Sequence, residues 1–391
     1  MTSSLTMKKS ILFAALLALA GLAQAQKRTA FEPGKVWPDN KGTHLNAHGA
    51  GVLYDKGRYY LFGEHKVAGP KGNSAQVGVH CYSSKDLYNW QDEGIAFAVA
   101  PEGSGSEVEK GCVLERPKVV FNKQTGQYVM WFHLELKDKG YEAARTAVAV
   151  ASKPTGPYKY VRSYRPGAGQ WPLGFKEEWK QPQPAEKDLK WWTPEWRTAV
   201  AQGLFVRRDF EPGQMARDMT IFVDDDGKAY NIHSSEENLT LHVAELTPDY
   251  QGFTGRWNTI APAGHNEAPA ICKRGGKYYL ITSGCTGWAP NAARSFVASS
   301  IWGPWQQLDN PATGPDADLT YHSQSTYLLP VAGKKDAFIF MADRWTPDNP
   351  IEGGYIWLPL RFEGDQPRLR WADRWDLGAF NQAKPSAAVT Q

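Results

Sequence analysis

Alternating apolar and polar positions recur along the chain in a unit that begins at a glycine turn. Four copies place an aromatic-rich strand after the glycine: GRYYLF at 57–62, GQYVMW at 126–131, GKAYNI at 227–232 and GKYYLI at 276–281. A weaker fifth copy, KDAFIF, occupies 335–340. Another apolar strand precedes each copy, as at 50–54 and 118–121, so each unit opens with a β-hairpin.

A third strand follows each hairpin, and it often ends in a turn that carries an aromatic residue. The strand at 147–152 precedes GPY at 156–158, and the strand at 296–299 precedes GPW at 303–305. Five such units, each of roughly 50 to 70 residues, predict the blades of a propeller. A β-sandwich would give no reason for five similar hairpins. The expected fold class is therefore all-β, a five-bladed β-propeller.

The spacing of the units breaks once, before the third blade. Residues 165–213 lack the repeat and are rich in Trp, Pro and charge, and 195–200 predicts a short helix. Long loops in compact domains are often functional. Two interpretations stay open for this Trp-rich insertion: a cover over a pocket, or packing across the bottom or side of the propeller.

The start of the chain indicates export. Lys8 and Lys9 precede an apolar run at 11–22, and AQA at 23–25 has the small-x-small pattern of a cleavage site. The run is too short to span a bilayer. We expect a signal peptide at 1–25, one propeller domain at 26–391, and a periplasmic or secreted protein.

Composition restricts the partners. The formal net charge is +3, and such a balance indicates neither nucleic acid nor an anionic membrane as a partner. Aromatic residues make up 13% of the chain, and aromatic rings stack on the apolar faces of sugars as well as filling cores. A carbohydrate-binding monomer without membrane attachment after signal cleavage is expected.

Four cysteines in an exported chain raise the question of disulfides. The hairpin turn at 274–276 puts Cys272 opposite a residue near Tyr279, so Cys285 lies out of its reach. A pair between Cys81 and Cys112 stays open. No two cysteines have zinc-ligand spacing.

Polar residues on the first strand of each blade are the candidates for chemistry, because these strands line the propeller axis. Three carboxylates, Glu115, Asp218 and Glu267, reach the same level of the axis. Converging, buried carboxylates raise one another's pKa, so one of them can stay protonated as a general acid. The alternatives are a calcium cage or an ion-pair network in which Arg217 or Arg344 binds Glu115.

Several of these segments resemble glycoside hydrolase family 43. The matching motifs are RDMTIFVDDDG at 217–227, EAP at 267–269 followed by GKYYL at 276–280, and GPW at 303–305. Within that family the likeness is nearest to the exo-β-1,3-galactanase branch. It rests on NAHG at 46–49, GEHK at 63–66, ERPKV at 115–119, MWFH at 130–133, TGWAPN at 286–291 and DRW at 343–345. The insertion falls outside the shorter galactanases, so the substrate stays open.

The resemblance implies roles for four catalytic residues. Glu267 matches the general acid, and Asp218 matches the residue that tunes the pKa of the acid and holds a sugar hydroxyl. Most family members have an Asp base in the first blade, where this chain has His48 and Gly49. The galactanase branch lacks it too and is thought to use a Gln in its imidic tautomer, which Gln324 matches. Glu115 matches a carboxylate that supports this arrangement and contacts the sugar.

Other residues are expected to contact the sugar. His48 is a rival base, since imidazole titrates near neutrality, or else a pocket or core residue. Trp288 is the candidate for stacking on the ring, with buried packing as its alternative. The full set of expected substrate-binding residues is His48, Glu64, Tyr141, Glu236, Glu237, Thr286, Trp288 and Arg344.

The sequence therefore predicts an exo-acting, inverting glycoside hydrolase that releases galactose or a similar sugar from β-1,3-galactan or arabinogalactan-type glycans. A β-galactofuranosidase, an α-L-arabinofuranosidase and a non-catalytic carbohydrate-binding propeller stay open. No cofactor or catalytic metal is expected, because Gln324 occupies the fifth-blade position where a His ligand would lie. The resemblance leaves room for a structural calcium ion at the axis.

Overall fold

A computed structural model describes residues 27–181 and 188–381. The predicted signal peptide at 1–25 lies outside these residues. Within the described part, no helix has the length and hydropathy needed to cross a membrane. The strands form five separate sheets, and each sheet contains four antiparallel strands that are consecutive in the chain. This arrangement confirms the predicted propeller.

The blades follow the chain from blade I to blade V. Blade I contains β1 (His48–Asp55), β2 (Arg58–His65), β3 (Gly78–Ser84) and β4 (Gln91–Ala98), and blade II contains β5 (Val113–Asn122), β6 (Gln127–Glu135), β7 (Arg145–Ala151) and β8 (Lys159–Tyr164). Blade III contains β9 (Met219–Val223), β10 (Ala229–Ser235), β11 (Thr240–Leu246) and β12 (Phe253–Ile260). Blade IV contains β13 (Glu267–Arg274), β14 (Lys277–Ser283), β15 (Arg294–Ala298) and β16 (Gln306–Leu308). Blade V contains β17 (Ala312–Thr313), β18 (Gln324–Pro330), β19 (Phe338–Arg344), β20 (Gly354–Glu363) and β21 (Gln366–Arg370), with β17 parallel to β21.

The first long strand of every blade lies at the centre. The strands β1, β5, β9, β13 and β18 contact one another in a ring around the axis. Outside this ring, each blade packs against its neighbours, so middle strands such as β3 and β10 are buried along their whole length. The hairpin of blade IV has the predicted register, with Cys272 opposite Tyr279 and the turn at 275–276.

The two ends of the described chain meet and close the ring between blades V and I. Phe31 and Trp375 exchange backbone hydrogen bonds of 2.7 and 3.1 Å, and their rings stack with centroids 4.3 Å apart. The indole N–H of Trp375 donates to the carbonyl oxygen of Trp357 at 2.8 Å. This aromatic cluster joins strands of both blades in one core.

The insertion packs on the side of blade III. Its helices are α1 (Glu177–Lys180), α2 (Pro194–Ala201) and α3 (Leu204–Arg208), and α2 includes the predicted helix at 195–200. Thr193 caps α2 by accepting a hydrogen bond from the backbone N–H of Trp196. The fully buried Trp196 packs with Phe205, Leu239 and Ala263. The packing interpretation is therefore the one that these contacts support.

All four cysteines are free thiols. The open pair of Cys81 and Cys112 is not formed, although both lie in the core between blades I and II. Burial raises the pKa of the Cys112 thiol to about 12, so these thiols are protonated packing groups. Cys272 and Cys285 are likewise unpaired, as the hairpin register requires.

The aromatic closure can be tested by Trp375→Ala. Trp375 is only 7% exposed, and truncating a buried Trp costs about 3–5 kcal/mol of unfolding free energy. Trp371→Ala is the matched control, because Trp371 is 38% exposed and its loss should cost about 1 kcal/mol or less. Urea unfolding measures both. Equal losses in the two variants would show that the terminal contact does not hold the ring closed.

Candidate active site

A pocket of about 330 Å³ opens at one end of the axis. All five blades contribute to its wall. The lining side chains that carry charge or hydrogen-bonding groups are Glu64, Lys66, Glu115, Arg116, His133, Tyr141, Arg217, Asp218, Asn238, Glu267, Cys285, Trp288, Gln324 and Trp345. The four predicted catalytic residues are thus brought together in one cavity.

β-Bulges shape the pocket end of the inner strands. The pairing register shifts in β1, β5, β13 and β18, and Gly49, Arg116 and Ala268 adopt φ values of 59°, 57° and 54°. A regular strand would send consecutive side chains to opposite faces. The bulge in β5 instead lets Glu115 and Arg116 both line the pocket.

Glu267 begins β13 and has the environment of a proton donor. Its Oε1 accepts a hydrogen bond of 2.8 Å from Gln324 Nε2, and its Oε2 lies 3.4 Å from Asn238 Nδ2. Burial and then the charge of Asp218 raise the pKa of Glu267 to about 7. Because the shorter of these two contacts brings a donor to Oε1, the proton is favoured on Oε2.

Asp218 supplies the fixed negative charge beside the acid. Its Oδ2 pairs with Arg116 Nη2 at 2.9 Å and accepts a hydrogen bond of 3.1 Å from the backbone N–H of Ala268. Ala268 directly follows Glu267, so this bond fixes the spacing between the two carboxyl groups. The structure therefore brings Asp218 to the position from which it can raise the pKa of the acid.

Arg116 is a central residue that the sequence analysis did not assign. It is 5% exposed, and it also donates to Gln324 Oε1 at 2.6 Å and to the carbonyl oxygen of Ser325 at 3.0 Å. Asp218 raises the pKa of this guanidinium further. In a regular strand, Arg116 would point to the opposite face from Glu115. The bulge in β5 brings both side chains into the pocket, and the sequence pattern does not predict this bulge.

The amide of Gln324 is fixed by its four neighbours. Its oxygen accepts from Arg116 and from Trp345 Nε1 at 3.0 Å, while its nitrogen donates to Glu267 and to Ser283 Oγ at 3.0 Å. Arg and Trp are donors only, which sets the amide orientation. The amide nitrogen lies 2.8 Å from the acid, whereas inverting sites separate acid and base by roughly 6.5–9.5 Å. A base role for Gln324 stays a prediction that requires the amide to leave Glu267 when sugar binds.

Glu115 faces the pocket from blade II. Its Oε2 accepts from His133 Nδ1 at 3.0 Å, and its Oε1 accepts from the hydroxyl of Tyr141 at 2.9 Å. Burial opposes ionisation, but His133 more than compensates and lowers the pKa of Glu115 to about 2. Tyr141 is 46% exposed, so it can meet a sugar as predicted.

In blade I, the carboxylate that lines the pocket comes from the second strand of the blade and not from the innermost strand. Glu64 on β2 accepts from the backbone N–H of Arg116 at 2.9 Å and pairs with Lys66 Nζ at 2.5 Å. A Cβ at Gly49 would lie 2.1 Å from Glu64 Oε1. The absence of a side chain at Gly49 therefore makes room for Glu64, which lines the pocket as predicted.

The prediction that His48 contacts the sugar is wrong. Its ring is fully buried, stacks on Tyr355 with centroids 5.1 Å apart, and lies 3.8 Å from the Asp343 carboxylate. The bulge at Gly49 turns His48 between blades I and V. This excludes His48 as the rival base, because no sugar reaches it.

Glu236 and Thr286 also lie outside the pocket. Glu236 begins a left-handed turn that continues through Asn238, with φ values of 53°, 58° and 63°. This turn buries Glu236, which accepts from Thr240 and His242, and burial raises the pKa of Glu236 to about 8. Thr286 is exposed, and its hydroxyl donates to the carbonyl of its own turn at 2.6 Å.

Glu237, Trp288 and Arg344 lie at the margins of the pocket. Glu237 occupies an adjoining cleft, where it pairs with the pocket residue Arg217 at 3.0 Å. Trp288 lines the pocket and is 43% exposed, as stacking on a sugar would require. Arg344 lines a neighbouring cavity and donates to the carbonyl of Tyr321. It therefore does not pair with Glu115, contrary to one alternative.

Charge pairing within the pocket singles out the acid. Among the four described carboxylates that line it, three have a cation in contact: Glu64 with Lys66, Glu115 with His133, and Asp218 with Arg116. Glu267 has none. The three partners, Lys66, Arg116 and His133, were missed in the sequence analysis because pocket positions were selected there for their carboxylates.

Two groups of atoms near the propeller axis could in principle bind a metal ion. Below the pocket, Lys118 Nζ donates to the carbonyl oxygens of Gly49 at 2.8 Å and Arg116 at 3.2 Å. These oxygens are therefore already occupied by a lysine side chain and do not fit a calcium site. Glu115, His133 and Asp218 have donor atoms within 4.8 Å of one another. His133 and Asp218, however, already face the charged partners described above.

A protonated carboxylic acid beside a fixed carboxylate, in a sugar-sized pocket on a five-bladed propeller, defines a glycoside hydrolase. The family model "Glycosyl hydrolases family 43" matches residues 196–341. A family 43 β-1,3-galactosidase solved with galactodeoxynojirimycin is 53% identical over 89% of this chain and 100% of its own, with a TM-score of 0.86. The chain therefore belongs to glycoside hydrolase family 43.

Two further solved structures are similar over most of the chain. A second family 43 β-1,3-galactosidase is 37% identical over 91% of this chain and 65% of its own, with a TM-score of 0.75. The exo-β-1,3-galactanase of Phanerochaete chrysosporium, solved with β-1,3-galactotriose, is 31% identical over 89% of this chain and 68% of its own, with a TM-score of 0.71. A comparison with curated proteins gave no match.

The contact between Gly49 and Glu64 gives a test of the blade I wall. In Gly49→Ala the new Cβ must displace the Glu64 carboxylate, and we expect a loss in kcat/KM on the order of 100-fold. Gly57→Ala is the control, because Gly57 also has positive φ but nothing lies within 4 Å of its Cβ position. Steady-state kinetics of both variants measure the difference. Similar kcat/KM values would show that Glu64 does not need this space.

The raised pKa of Glu267 predicts a pH-dependent stability. Its favourable contribution is fully present below pH 4.5 and is lost as pH rises through about 7. Glu267→Gln stays neutral, so it should be more stable than wild type at pH 8 by on the order of 1–2 kcal/mol, allowing for partial exposure. Unfolding free energies of both proteins at pH 4 and pH 8 measure this. The same difference at both pH values would contradict a raised pKa.

Proposed function

We propose that this chain is an exo-acting, inverting glycoside hydrolase that removes terminal galactose from β-1,3-galactan or arabinogalactan-type glycans. The observation that carries the proposal is Glu267, a partly buried acid without a contacting cation, in the wall of a pocket on the propeller axis. A pocket admits a chain end, whereas a groove would admit a chain interior. The similar solved proteins named as β-1,3-galactosidases and an exo-β-1,3-galactanase support the sugar and the linkage.

Glu267 would protonate the glycosidic oxygen as the bond breaks. Its pKa of about 7 keeps it protonated in neutral and mildly acidic solution, and the proton on Oε2 is the one to transfer. Asp218 stays fixed beside it through Arg116 and the backbone of Ala268. Its negative charge also favours the positive charge that develops on the sugar in the transition state.

The remaining pocket residues would orient the galactosyl ring. Their hydrogen-bonding groups are already set in place by ion pairs, so little reorganisation is needed on binding. Glu64 and Glu115 would accept from hydroxyls, and Tyr141 would complete the wall on the blade II side. Trp288 and Trp345, whose rings make an edge contact at 5.7 Å, would bound the opening.

Water activation is the step for which Gln324 is the candidate. Sugar binding has to break the 2.8 Å bond between Gln324 Nε2 and Glu267 and replace it with contacts to the sugar or to water. Arg116 and Trp345 would keep the amide oxygen oriented during that change. An ordinary amide is a poor base, so this role depends on the imidic tautomer that the family resemblance implies.

The setting of the reaction is also part of the proposal. The predicted signal peptide at 1–25 supports export to the periplasm or the medium. We propose a monomer that needs no cofactor.

The decisive experiment is product analysis with β-1,3-galacto-oligosaccharides and a panel of aryl galactopyranosides, galactofuranosides and arabinofuranosides. We expect galactose to be released from the non-reducing end, first as the α-anomer by proton NMR, with kcat/KM falling as pH rises above about 7. Gln324→Ala should lower kcat by about 100-fold or more with an unchanged circular-dichroism spectrum.

Each other outcome has a defined meaning. Release from the furanosides alone would replace galactopyranose with galactofuranose or arabinofuranose as the substrate. A β-anomer as first product would exclude inversion. Tight oligosaccharide binding without hydrolysis would make the chain a binding propeller, and near-normal kcat in Gln324→Ala would exclude Gln324 as the water-activating group.

A further inference from the structure

We propose that His133 is a positioning residue that works as an imidazolium cation, held between Glu115 and Glu135, and that it keeps Glu115 ionised and aimed into the pocket. The inference deepens the proposed function, because it concerns a wall of the same site. His133 lies on β6, at the end of the MWFH segment at 130–133.

The geometry of the ring carries the proposal. His133 Nδ1 lies 3.0 Å from Glu115 Oε2, and Nε2 lies 2.8 Å from Glu135 Oε1. His133 is 1% exposed and Glu135 is fully buried. All three residues belong to the β5–β6 hairpin, where Glu115 is paired in register with His133. Both ring nitrogens are therefore directed at carboxylate oxygens.

Two carboxylate partners require two donors. A neutral imidazole has one donor and one acceptor nitrogen, so one nitrogen lone pair would face a carboxylate oxygen. Glu135 is itself kept as an acceptor, because its Oε2 receives a hydrogen bond of 2.7 Å from the backbone N–H of Ala144. Burial lowers the pKa of His133, but the two carboxylates outweigh burial and raise it to about 9.

The imidazolium controls the charge of Glu115. Around this carboxylate lie the cations of His133, Lys66 and Arg116, the hydroxyl of Tyr141 and the negative charge of Asp218. His133 makes the largest favourable contribution to the ionised form. Without it, burial and the charge of Asp218 would favour protonation of Glu115, and the protonated group would no longer be a full acceptor for sugar hydroxyls.

Glu135 extends the same chain of contacts to the β6–β7 loop. The Ala144 N–H that it accepts belongs to a residue with φ of 44°, directly before β7. Tyr141 lies on this loop and donates to Glu115. The β6–β7 loop is thus connected to the pocket wall by a continuous series of hydrogen bonds through Glu135, His133 and Glu115.

A buried pair in blade III provides the matched comparison. His242 Nε2 lies 2.9 Å from Glu236 Oε1, and both side chains are 1% exposed. Here the ring has one carboxylate partner instead of two. Burial lowers the pKa of His242 to about 3 and raises that of Glu236 to about 8, so this pair is neutral. The second carboxylate is what distinguishes the charged histidine from the neutral one.

The first experiment is direct and needs no activity. NMR of the full chain with 15N-labelled histidine should show both ring nitrogens of His133 protonated at pH 7.5, with deprotonation near pH 9. Glu135→Gln keeps an acceptor for Nε2 but removes its charge, so His133 should deprotonate at least one pH unit lower. If His133 is neutral at pH 7.5 in wild type, the proposal is wrong.

The second experiment measures catalysis. In His133→Asn, Asn keeps a donor for Glu115 but carries no charge, so the acidic limb of kcat/KM should move up by about one pH unit or more. At pH values below the wild-type midpoint of that limb, kcat/KM should then fall about tenfold. His242→Asn is the control and should lower the melting temperature without moving the limb. A purely structural His133 would behave like His242.

Two results separate this proposal from failure of the proposed function. If wild type hydrolyses none of the glycosides, the NMR titration still decides whether His133 is a cation. If dialysis against EDTA removes a stoichiometric metal ion and shifts the His133 signals, a metal occupies the cluster and the imidazolium assignment is overturned.

Discussion

The site depends on one buried cation, the guanidinium of Arg116. Removing a guanidinium from water is costly unless charge and hydrogen bonds replace the lost solvation. Here the replacements come from two other blades: the Asp218 carboxylate of blade III, and the Gln324 amide oxygen and Ser325 carbonyl of blade V. Blades II, III and V are therefore tied together at the level where the acid lies. The positions of Asp218 and Gln324 follow from this requirement.

The same pairing explains why Glu267 has the environment of a proton donor. Arg116, Lys66 and His133 each neutralise a different carboxylate, and none contacts Glu267. The acid is left with burial and the Asp218 charge, both of which favour its protonated form. Differences in pKa among carboxylates of one pocket thus come from the distribution of cations more than from the carboxylates themselves.

The fold and the inner-strand carboxylates could be predicted, because the repeat of glycine turn and aromatic strand fixes which strand of each blade is innermost. Once the blades are aligned, Glu115, Asp218, Glu267 and Gln324 occupy equivalent positions, and all four line the pocket. The same alignment predicted that His48 lines the pocket, and this prediction was wrong. A bulge with positive φ at Gly49 changes the direction of the neighbouring side chain, and alternation carries no information about bulges.

Local backbone conformation accounts for the other misassigned residues. The left-handed turn at 236–238 buries one member of the Glu236–Glu237 pair and leaves the other at the rim. The insertion fixes this turn from outside, since Leu239 packs in the same cluster as Trp196. No pattern of polar and apolar residues distinguishes such a turn from a regular hairpin. Composition identified the insertion, but only the structure shows that it packs against Leu239, next to the pocket residue Asn238.

Blade I shows how a site can change its groups without changing its fold. Gly49 leaves a volume on the first strand, and Glu64 from the second strand fills it. Blade I therefore still contributes a carboxylate to the pocket, and this carboxylate is bound to Lys66 and to the backbone N–H of Arg116. A carboxylate held in this way can accept hydrogen bonds from sugar hydroxyls. The proposed water-activating group, Gln324, lies on another blade and contacts both Arg116 and Glu267.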